Sequence, residues 1–312
     1  SSKHWVFHQY DHEVGIRTVV KPGFDASVLR LDNGKFLSVK IDGNPKHCYL
    51  NPRDGAIGCF EEACRNVVCT GATPIGMVDH LQFASPEDPE IFWTFMESLE
   101  GLTDFAKFLK IPCVGGKVSF YNETPSGPIK PTPLIGVLGI INKTPLHPTP
   151  PKSGDYMIIV GNTKNELGGS EYFEYIHDFI GGICPTVDFK SSKLNMSTVL
   201  SLIKQNLVKS IHDCAKGGLA IAVSEMSIFG EIGCNIDIGK LPSQKNLNLE
   251  QLLFSESHSR YLLVVTQKNI KKVKQILLKE KNPFGVLGNF TSDQISIKHK
   301  SCLLYTSDAA DE

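Results

Sequence analysis

A proline-rich break at residues 145–154 divides the chain into two segments, and this division constrains the fold more than any other feature. The break contains Pro145, Pro148, Pro150 and Pro151 in an otherwise polar stretch, a composition typical of a linker between domains. On both sides of it, short apolar runs alternate with amphipathic helical patterns, as in α/β proteins. We therefore predict a two-domain protein of the α/β (α+β) class.

Composition places the chain among globular proteins and argues against several kinds of partner. Its 312 residues give room for one large or two ordinary domains, and 21% of them are charged. The formal net charge of -1 offers no electrostatic support for binding nucleic acid or a membrane. The nine cysteines are scattered without a Cys-x-x-Cys pair, which indicates free thiols in a reducing, cytoplasmic compartment. No apolar run reaches membrane-spanning length.

Both ends of the chain are expected to lie outside the main domains. Residues 1–33 carry aromatic and turn residues and are interpreted as a linker or extended segment. No secretory signal is recognised at the start. The first residue is Ser1 and not Met, so we expect the natural protein to begin further upstream. Residues 301–312 follow no periodicity, and we interpret them as a non-native tail with no part in the fold.

The first half alternates predicted strands and helices. Strands are expected at 36–41, 75–80 and 134–141, and one helix from about Ile57 to Cys69. On that helix the polar side chains lie away from the apolar stripe and are interpreted as a solvated face with helical ion pairs. These polar residues are Glu61, Glu62, Arg65 and Asn66.

A second helix is predicted to begin near Pro89 and to bury a long apolar stripe in the core. The stripe consists of Phe92, Phe95, Met96, Leu99, Leu102, Ala106 and Leu109.

The most distinctive local sequence is the glycine-rich stretch 114–123. Gly115 and Gly116 would allow backbone N–H groups to approach an anion, while Lys117 and Ser119 add a cation and a hydroxyl. The stretch does not match a Walker phosphate loop. A simple turn between a helix and a strand is the alternative interpretation, and the residue types alone leave both open.

The second half repeats the α/β pattern. Ser170 is predicted to cap a helix. His212 and Asp213 are adjacent on a predicted strand, so they should face opposite ways and form no hydrogen-bonded pair. Further predicted elements are strands at 156–160, 210–214 and 261–266, helices at 196–207, 219–228 and 269–279, and two short closing strands. No hydrolase elbow, zinc-binding helix or dinucleotide fingerprint is present, so spacing alone gives no reaction.

Taken in order, the motifs resemble those of phosphoribosylformylglycinamidine synthase, and more closely the second half of its synthetase subunit. The resemblance runs from about Trp5 to Lys300 and rests on the ordered set, since no single motif decides it. The motifs are Gln9-Tyr-Asp11, Asp42-Gly-Asn-Pro45, Glu62-Ala-Cys-Arg-Asn66, Thr70-Gly-Ala72, Gly115-Gly-Lys-Val-Ser-Phe-Tyr-Asn-Glu-Thr124, Pro131-Thr-Pro133, Leu167-Gly-Gly-Ser-Glu171, His212-Asp213, Gly217-Gly-Leu219 and Phe254-Ser-Glu-Ser257.

The resemblance implies an aminoimidazole ribonucleotide synthetase-like fold, with an A domain at 34–144 and a B domain at 153–300. In this family the A domain is a sheet with packed helices that pairs with another A domain into a barrel, and the B domain is an α/β sandwich. The family's first A–B copy holds the catalytic histidine and most magnesium carboxylates, and it is absent from this sequence. No catalytic residue is therefore expected here, and the chain alone should be inactive.

The activity implied is a ligase reaction of purine biosynthesis, the ATP-dependent amidation of formylglycinamide ribonucleotide with glutamine-derived ammonia. ATP and Mg²⁺ are the implied cofactors. Asp79 and Gly116 match the family's ATP contacts, and Ser119 matches a substrate contact. Lys117 stands where the family has a magnesium-binding Asn, and a charged ammonium cannot coordinate a cation. Further departures from the family pattern are Asn51, Gln82, Ala84, Ala215, Lys216 and His258.

These departures leave three interpretations open: part of a working ligase, a diverged non-catalytic scaffold half, or a stand-alone homodimeric relative. The implied partners are the missing N-terminal half, a separate glutaminase subunit, a small bridging subunit and a small-molecule nucleotide substrate. The A-domain edge that would pair with the missing half should be exposed and apolar, so we predict self-association through it, including as a homodimer.

Overall fold

Two large β-sheets with packed helices and a small two-stranded sheet form the fold of the computed structural model, which describes residues 4–292, 294–299 and 302–308. The helices are α1 (His4–Phe7), α2 (Pro45–Leu50), α3 (Pro52–Cys69), α4 (Pro89–Leu109), α5 (Glu171–His177), α6 (Phe189–Lys204), α7 (Gly218–Gly230), α8 (Leu249–Phe254) and α9 (Ile270–Lys279). The strands are β1 (Thr18–Val20), β2 (Ser27–Arg30), β3 (Phe36–Asp42), β4 (Thr73–Gln82), β5 (Cys113–Ser119), β6 (Glu123–Thr124), β7 (Gly127–Pro128), β8 (Thr132–Ile141), β9 (Tyr156–Val160), β10 (Ser210–Asp213), β11 (Gly233–Asp237), β12 (Tyr261–Val265), β13 (Phe284–Thr291), β14 (Gln294–His299) and β15 (Cys302–Asp308).

The first sheet has six strands in the order β1-β2-β3-β8-β4-β5 and does not close on itself. Neighbouring strands are antiparallel except β4 and β5, which run parallel. Helix α3 packs on one face and α4 packs on α3, so Val67, Phe105 and Ile135 are fully buried there. The opposite face, which we call the open face, carries exposed apolar side chains that include Ile41 and Val78. The three predicted strands of this half are confirmed as β3, β4 and β8.

Helix α3 begins at Pro52, more than a turn before the predicted Ile57. The Asn51 side chain caps it by accepting a hydrogen bond from the backbone N–H of Asp54, and proline suits the first helical position. The Asn-Pro pair is thus a start signal that apolar periodicity alone does not show.

Helix α4 begins at Pro89 as predicted, but its apolar stripe is only partly core. Phe95 and Leu102 are buried, whereas Phe92 and Met96 remain 46% and 40% exposed. The prediction that the whole stripe is core is therefore wrong, because the stripe is wider than the part of the helix that contacts α3 and the sheet.

The second sheet has seven strands in the order β10-β12-β9-β13-β11-β14-β15. Helices α6 and α9 cover one face and α7 covers the other, so β9 and β12 are buried on both sides. Helix α6 begins at Phe189 rather than at the predicted residue 196, because the Asp188 side chain caps it by accepting from the N–H of Ser191. The remaining predicted elements of this half are confirmed close to their expected bounds, and Ser170 caps α5.

Both ends of the chain contribute strands, which their sequence did not indicate. Strands β1 and β2 lie within residues 1–33, the predicted linker, and extend the first sheet. Residues 302–308 of the predicted tail form β15, which pairs with β14 and satisfies an otherwise free strand edge. Residues 301 and 309–312 of that tail lie outside the described residues. The domain limits at 34–144 and 153–300 stay a prediction.

Among the described residues, no helix combines the length and the apolar character that crossing a membrane requires.

Candidate functional site

The glycine-rich stretch forms a strand, so the alternative interpretation of it as a simple turn is wrong. Gly115 and Gly116 lie within β5, the last strand of the first sheet, which pairs in parallel with β4. Neither glycine has a positive φ angle, so the extended backbone continues through them. The register places Gly116 beside Asp79 and Lys117 beside His80. What each residue can contact is therefore decided by the face of the sheet on which it lies.

Gly116 leaves room for the carboxylate of Asp79 on the helix-covered face. A Cβ atom at Gly116 would lie 2.6 Å from Asp79 Oδ1, so a larger residue would displace this carboxylate. The Sγ of Cys113 lies 3.4 Å from Asp79 Oδ2. These groups border a cavity of about 560 Å³, whose other walls include Met77 and Leu102. Asp79 and Gly116, the two residues expected to contact ATP, are thus direct neighbours on adjacent strands.

Lys117 and Ser119 lie on the opposite, open face of the sheet. Side chains alternate along a strand, so these two residues face away from Asp79. Their register neighbours on β4 are His80 and Gln82, which share the same face. The structure therefore separates the predicted site residues between the two faces. The two residues expected to contact ATP lie on one face, and the expected substrate contact, Ser119, lies on the other together with Lys117, which stands at the position of a metal ligand.

The hydroxyl of Ser119 has a fixed position at the carboxyl end of β5. The Nδ2 of Asn122 donates to the backbone oxygen of Ser119 at 2.8 Å and lies 3.2 Å from its Oγ. The same amide group donates to the backbone oxygen of Phe83 at 3.0 Å. The loop after β5 is thereby tied to the end of β4, and the carboxyl ends of neighbouring strands are a common place for ligands.

The position of Lys117 does not fit a metal ion. A charged ammonium group has no lone pair to offer, and Lys117 is exposed with no ion-pair partner in the described part of the chain. A divalent cation at this place would meet a like charge instead of a ligand.

A second polar group lies between the two sheets and was not predicted from the sequence. Asp25 Oδ1 accepts hydrogen bonds from His212 Nδ1 at 2.8 Å and from the backbone N–H of Asp213 at 3.1 Å. As predicted, His212 and Asp213 do not hydrogen-bond each other, but they share Asp25. The other ring nitrogen of His212 lies 2.9 Å from Glu225. Burial alone would lower the pKa of His212, but Asp25 and Glu225 raise it well above the usual value, so both ring nitrogens donate.

Arg65 connects this group to helix α3. It is buried, donates to Asp213 Oδ2 at 3.0 Å, and pairs with Glu61 one turn earlier on the helix. Asn66 Nδ2 donates to the same Asp213 oxygen at 3.2 Å and to Asp42 at 3.3 Å. The solvated face predicted for α3 is therefore wrong, because this side of the helix packs on α6 and β10 of the second half.

The group between the sheets is rich in carboxyl groups that the chain partly neutralises itself. Burial and then the nearby Glu62 raise the pKa of Asp42 well above its usual value, and burial also raises the pKa of Glu62. Lys40 Nζ lies 3.6 Å from Asp42 Oδ1. Within the described residues, one trio has ligand-type atoms within 4.8 Å of one another. It consists of Asp25, His212 and Asp213.

A cavity of about 550 Å³ opens beside this trio, between α7, the segment before β2 and β10. The sequence gives only a weak indication of this polar group between the sheets. Glu62 and Asn66 share one side of α3, and Asp42 lies at the end of a strand. Their common location depends on contacts that no local pattern encodes.

Comparison with known proteins gives the family. The sequence profile described as AIR synthase related protein, N-terminal domain, matches residues 23–141, and the profile of the C-terminal domain matches residues 152–300. The chain belongs to the AIR synthase related family. This membership agrees with the resemblance of the motifs and confirms the predicted fold class.

The curated relatives are longer than this chain. Phosphoribosylformylglycinamidine synthase subunit PurL of Thermococcus sibiricus is 44% identical over 308 residues, which cover 98% of this chain and 42% of that protein. The same subunit of Methanobrevibacter smithii is 43% identical over 292 residues, covering 92% of this chain and 40% of that protein. The chain thus spans about two fifths of the length of these relatives.

Solved structures share the fold at low sequence identity. Thermotoga maritima PurL complexed with FGAR has a TM-score of 0.78 at 19% identity, with 94% of this chain and 48% of that chain covered. A chain of the HypE–HypF complex has a TM-score of 0.67 at 15% identity, with 91% and 92% covered. The first match covers half of a longer chain, whereas the second covers nearly all of a shorter one.

Proposed function

We propose that the chain is the second half of a phosphoribosylformylglycinamidine synthase, a ligase that amidates formylglycinamide ribonucleotide at the expense of ATP during purine biosynthesis. Family membership and the identity of more than two fifths to relatives that carry this name support the proposal. Within the chain, the observation that carries it is the juxtaposition of Asp79 and Gly116 beside a cavity at the sheet edge.

The geometry of β5 suits a nucleotide. The cavity beside Asp79 has largely apolar walls, as sites for a planar base do, and a carboxylate there can accept from an exocyclic amino group. Gly115 and Gly116 let a triphosphate approach the strand closely. Because β5 ends the sheet, its outward backbone N–H groups have no strand partner among the described residues and are available to phosphate oxygens.

The reaction requires groups beyond this chain. Amidation passes through phosphorylation of the substrate amide oxygen, and the developing charge calls for cations and N–H donors around the phosphoryl group. We infer that the catalytic histidine and the magnesium carboxylates come from the missing N-terminal half. Mg²⁺ would be held by that half and by ATP, since Lys117 cannot be a ligand.

Further subunits are proposed to complete the assembly. Ammonia would come from glutamine through a separate glutaminase subunit, joined by a small bridging subunit. A chain of the Thermotoga maritima assembly PurLQS shares the fold with a TM-score of 0.74, which fits a multisubunit arrangement.

Calorimetric titration of magnesium-ATP tests the proposal. The chain is titrated alone and together with a separately expressed N-terminal half of a relative. We expect binding with that half present and, for Asp79→Asn, an affinity lower by about tenfold, which corresponds to about 1.4 kcal/mol. Asp32→Asn, which changes an exposed carboxylate between β2 and β3 of the same sheet, is the matched control and should bind as the parent does.

Absence of binding by the folded, combined protein would favour the second candidate, a diverged scaffold half. The observation in its favour is that Lys117 and Lys216 place cations where the family pattern has Asn and Asp. A stand-alone homodimer is the remaining alternative, supported by the fold match to a complete chain in the HypE–HypF complex. Binding that needs only the chain itself would favour the homodimer.

A further inference from the structure

A cleft of about 460 Å³ lies at the N-terminal end of helix α4, and the proposed function does not use it. We call it the α4 cleft. Its walls are the first turns of α4, the corner between α2 and α3, the residues that follow β4 and the segment 128–131. The cavity beside Asp79 lies toward the opposite end of α4, next to Leu102 and Lys107, and none of the described residues lines both. The α4 cleft is therefore a separate place for a partner.

The buried part of the cleft lining is apolar, and the exposed part carries two aromatic rings. Phe83 is buried, while Ile91 and Ile129 are half-buried. Trp93 and Tyr49 remain 55% and 58% exposed. Large aromatic side chains that stay uncovered around a concave surface are typical of places where a protein partner inserts a side chain.

Helix α4 places Trp93 between two glutamates that are not neutralised. Glu90 lies three residues before Trp93 and Glu97 lies four residues after it, so the three side chains lie on the same side of the helix. All three line the cleft. Neither glutamate forms an ion pair within the described part of the chain. Arg53, which also lines the cleft, pairs with two carboxylates further along α4 instead.

Lys130, the remaining basic side chain among the described lining residues, stands apart from these glutamates. Its Nζ lies 5.8 Å from the centre of the Tyr49 ring, and it pairs with neither Glu90 nor Glu97. The α4 side of the cleft is thus a negatively charged surface around an exposed indole ring. A partner that complements it brings a positive charge together with a flat group that covers the ring.

We propose that the α4 cleft is a docking surface for a basic segment of a partner protein, in which an arginine side chain stacks on Trp93 and donates to Glu90 and Glu97. A guanidinium group is planar, weakly hydrated and carries several N–H donors in one plane, so it can cover an indole face and bind carboxylates together. A lysine ammonium brings the charge but no flat face. The inference goes beyond the proposed function and does not rest on it.

Tryptophan fluorescence of the intact chain tests the α4 cleft. The chain has two tryptophans, so Trp5→Phe leaves Trp93 as the only one. The probe is a capped Gly-Arg-Gly-Arg-Gly peptide, and its control carries citrulline, which has nearly the shape of arginine without the charge. We expect the arginine peptide to shift the emission to shorter wavelength, because the exposed indole becomes covered. It should bind about fivefold more tightly than the citrulline peptide and more tightly than a lysine peptide.

Substitutions in the cleft test the roles of the individual side chains. The double variant Glu90→Gln and Glu97→Gln should weaken binding of the arginine peptide about fivefold and remove its advantage over citrulline. Glu250→Gln is the matched control, because Glu250 is exposed in the first turn of α8 as Glu90 is in α4. Trp93→Ala, followed by calorimetry, should abolish measurable binding. Unchanged unfolding midpoints show that these surface variants fold.

Several outcomes would overturn the proposal. One is equal binding of the arginine and citrulline peptides, and another is binding of neither. An emission shift that appears when the concentration of the chain itself is raised would assign the cleft to a second copy. A shift that needs a separately expressed N-terminal half of a relative would assign it to the rest of the synthetase. These titrations contain neither ATP nor Mg²⁺, so their result is independent of the calorimetric test with Asp79→Asn.

Discussion

Charged side chains are exposed on the open face of the first sheet but buried in the contact region between the two sheets. We call this contact region, which surrounds Arg65 and Asp213, the junction. On the open face, Lys117 is exposed and lacks an ion-pair partner among the described residues, next to exposed apolar Val78. At the junction, Arg65 is buried and donates to both Glu61 and Asp213. The charge of Arg65 at the junction is thus paired within the chain, whereas Lys117 and Val78 on the open face remain exposed.

The contrast separates groups that stabilise the fold from groups that are available for function. A buried charge with its partners contributes to folding, and its loss should appear as lower stability. An exposed donor or an uncovered apolar face contributes little to folding, and its change should appear in ligand binding or association. The predictions below test whether the two regions differ in this way.

The largest effect is expected for Arg65→Met at the junction. The substitution leaves the carboxylates of Glu61 and Asp213 buried without their cation, which should lower the free energy of unfolding by about 3–5 kcal/mol. Urea unfolding followed by circular dichroism measures the change. Arg53→Met is the matched control, because Arg53 pairs with Glu100 and Asp104 at the surface, where a loss within about 1 kcal/mol is expected. If both variants lost the same free energy of unfolding, the predicted difference between the junction and the surface would be contradicted.

Helix α3 shows where prediction from sequence succeeds and where it stops. The apolar stripe correctly predicted the helix and its end at Cys69, because helical periodicity is a local property of the sequence. The burial of its polar face is not local: Arg65 bonds Asp213, which is 148 residues further along the chain. An ion pair spaced four residues apart looks the same in the sequence whether water or protein surrounds it.

The candidate site shows the same limit. The resemblance of the motifs predicted Asp79, Gly116, Lys117 and Ser119 as site residues. Only the register of β4 against β5 shows that they lie on two different faces of the sheet. A Gly-Gly pair after a helix is typical of a turn, and only pairing with a strand formed more than thirty residues earlier makes it extended.

A change of association without loss of stability is expected for Val78→Asp on the open face. Val78 is 37% exposed, so a carboxylate there should change the free energy of unfolding by only about 0.5 kcal/mol. If the open face mediates self-association, the charge should weaken it at least about tenfold. Light scattering over a range of protein concentrations measures this.

The matched control for this variant is Val14→Asp, which introduces the same charge at an exposed valine before β1 and should leave association unchanged. A parent chain that is a monodisperse monomer at all concentrations would contradict the prediction of self-association.

The smallest effect concerns the pH dependence of stability and depends on His258 at the junction. Burial, together with the nearby Arg65 and His47, holds the pKa of His258 well below its ordinary value, although Glu61 lies 3.7 Å away. The folded protein therefore keeps this ring neutral, while the unfolded chain takes up a proton below about pH 6.5. Stability should be unaffected above that pH and should fall as the pH drops from there toward the lowered pKa, by up to about 1.4 kcal/mol per pH unit.

His258→Gln removes the titrating ring but keeps a polar side chain of similar size. Between about pH 7.5 and 5.5, the variant should lose about 1 kcal/mol less free energy of unfolding than the parent chain. His147→Gln, which changes an exposed histidine of the linker, should follow the parent profile. Because Asp25, Asp42 and His212 also titrate at the junction, the difference between profiles isolates His258 better than either profile alone. Parallel profiles would mean that the ring protonates in the folded chain as easily as in water, and that the junction is more open than its buried contacts indicate.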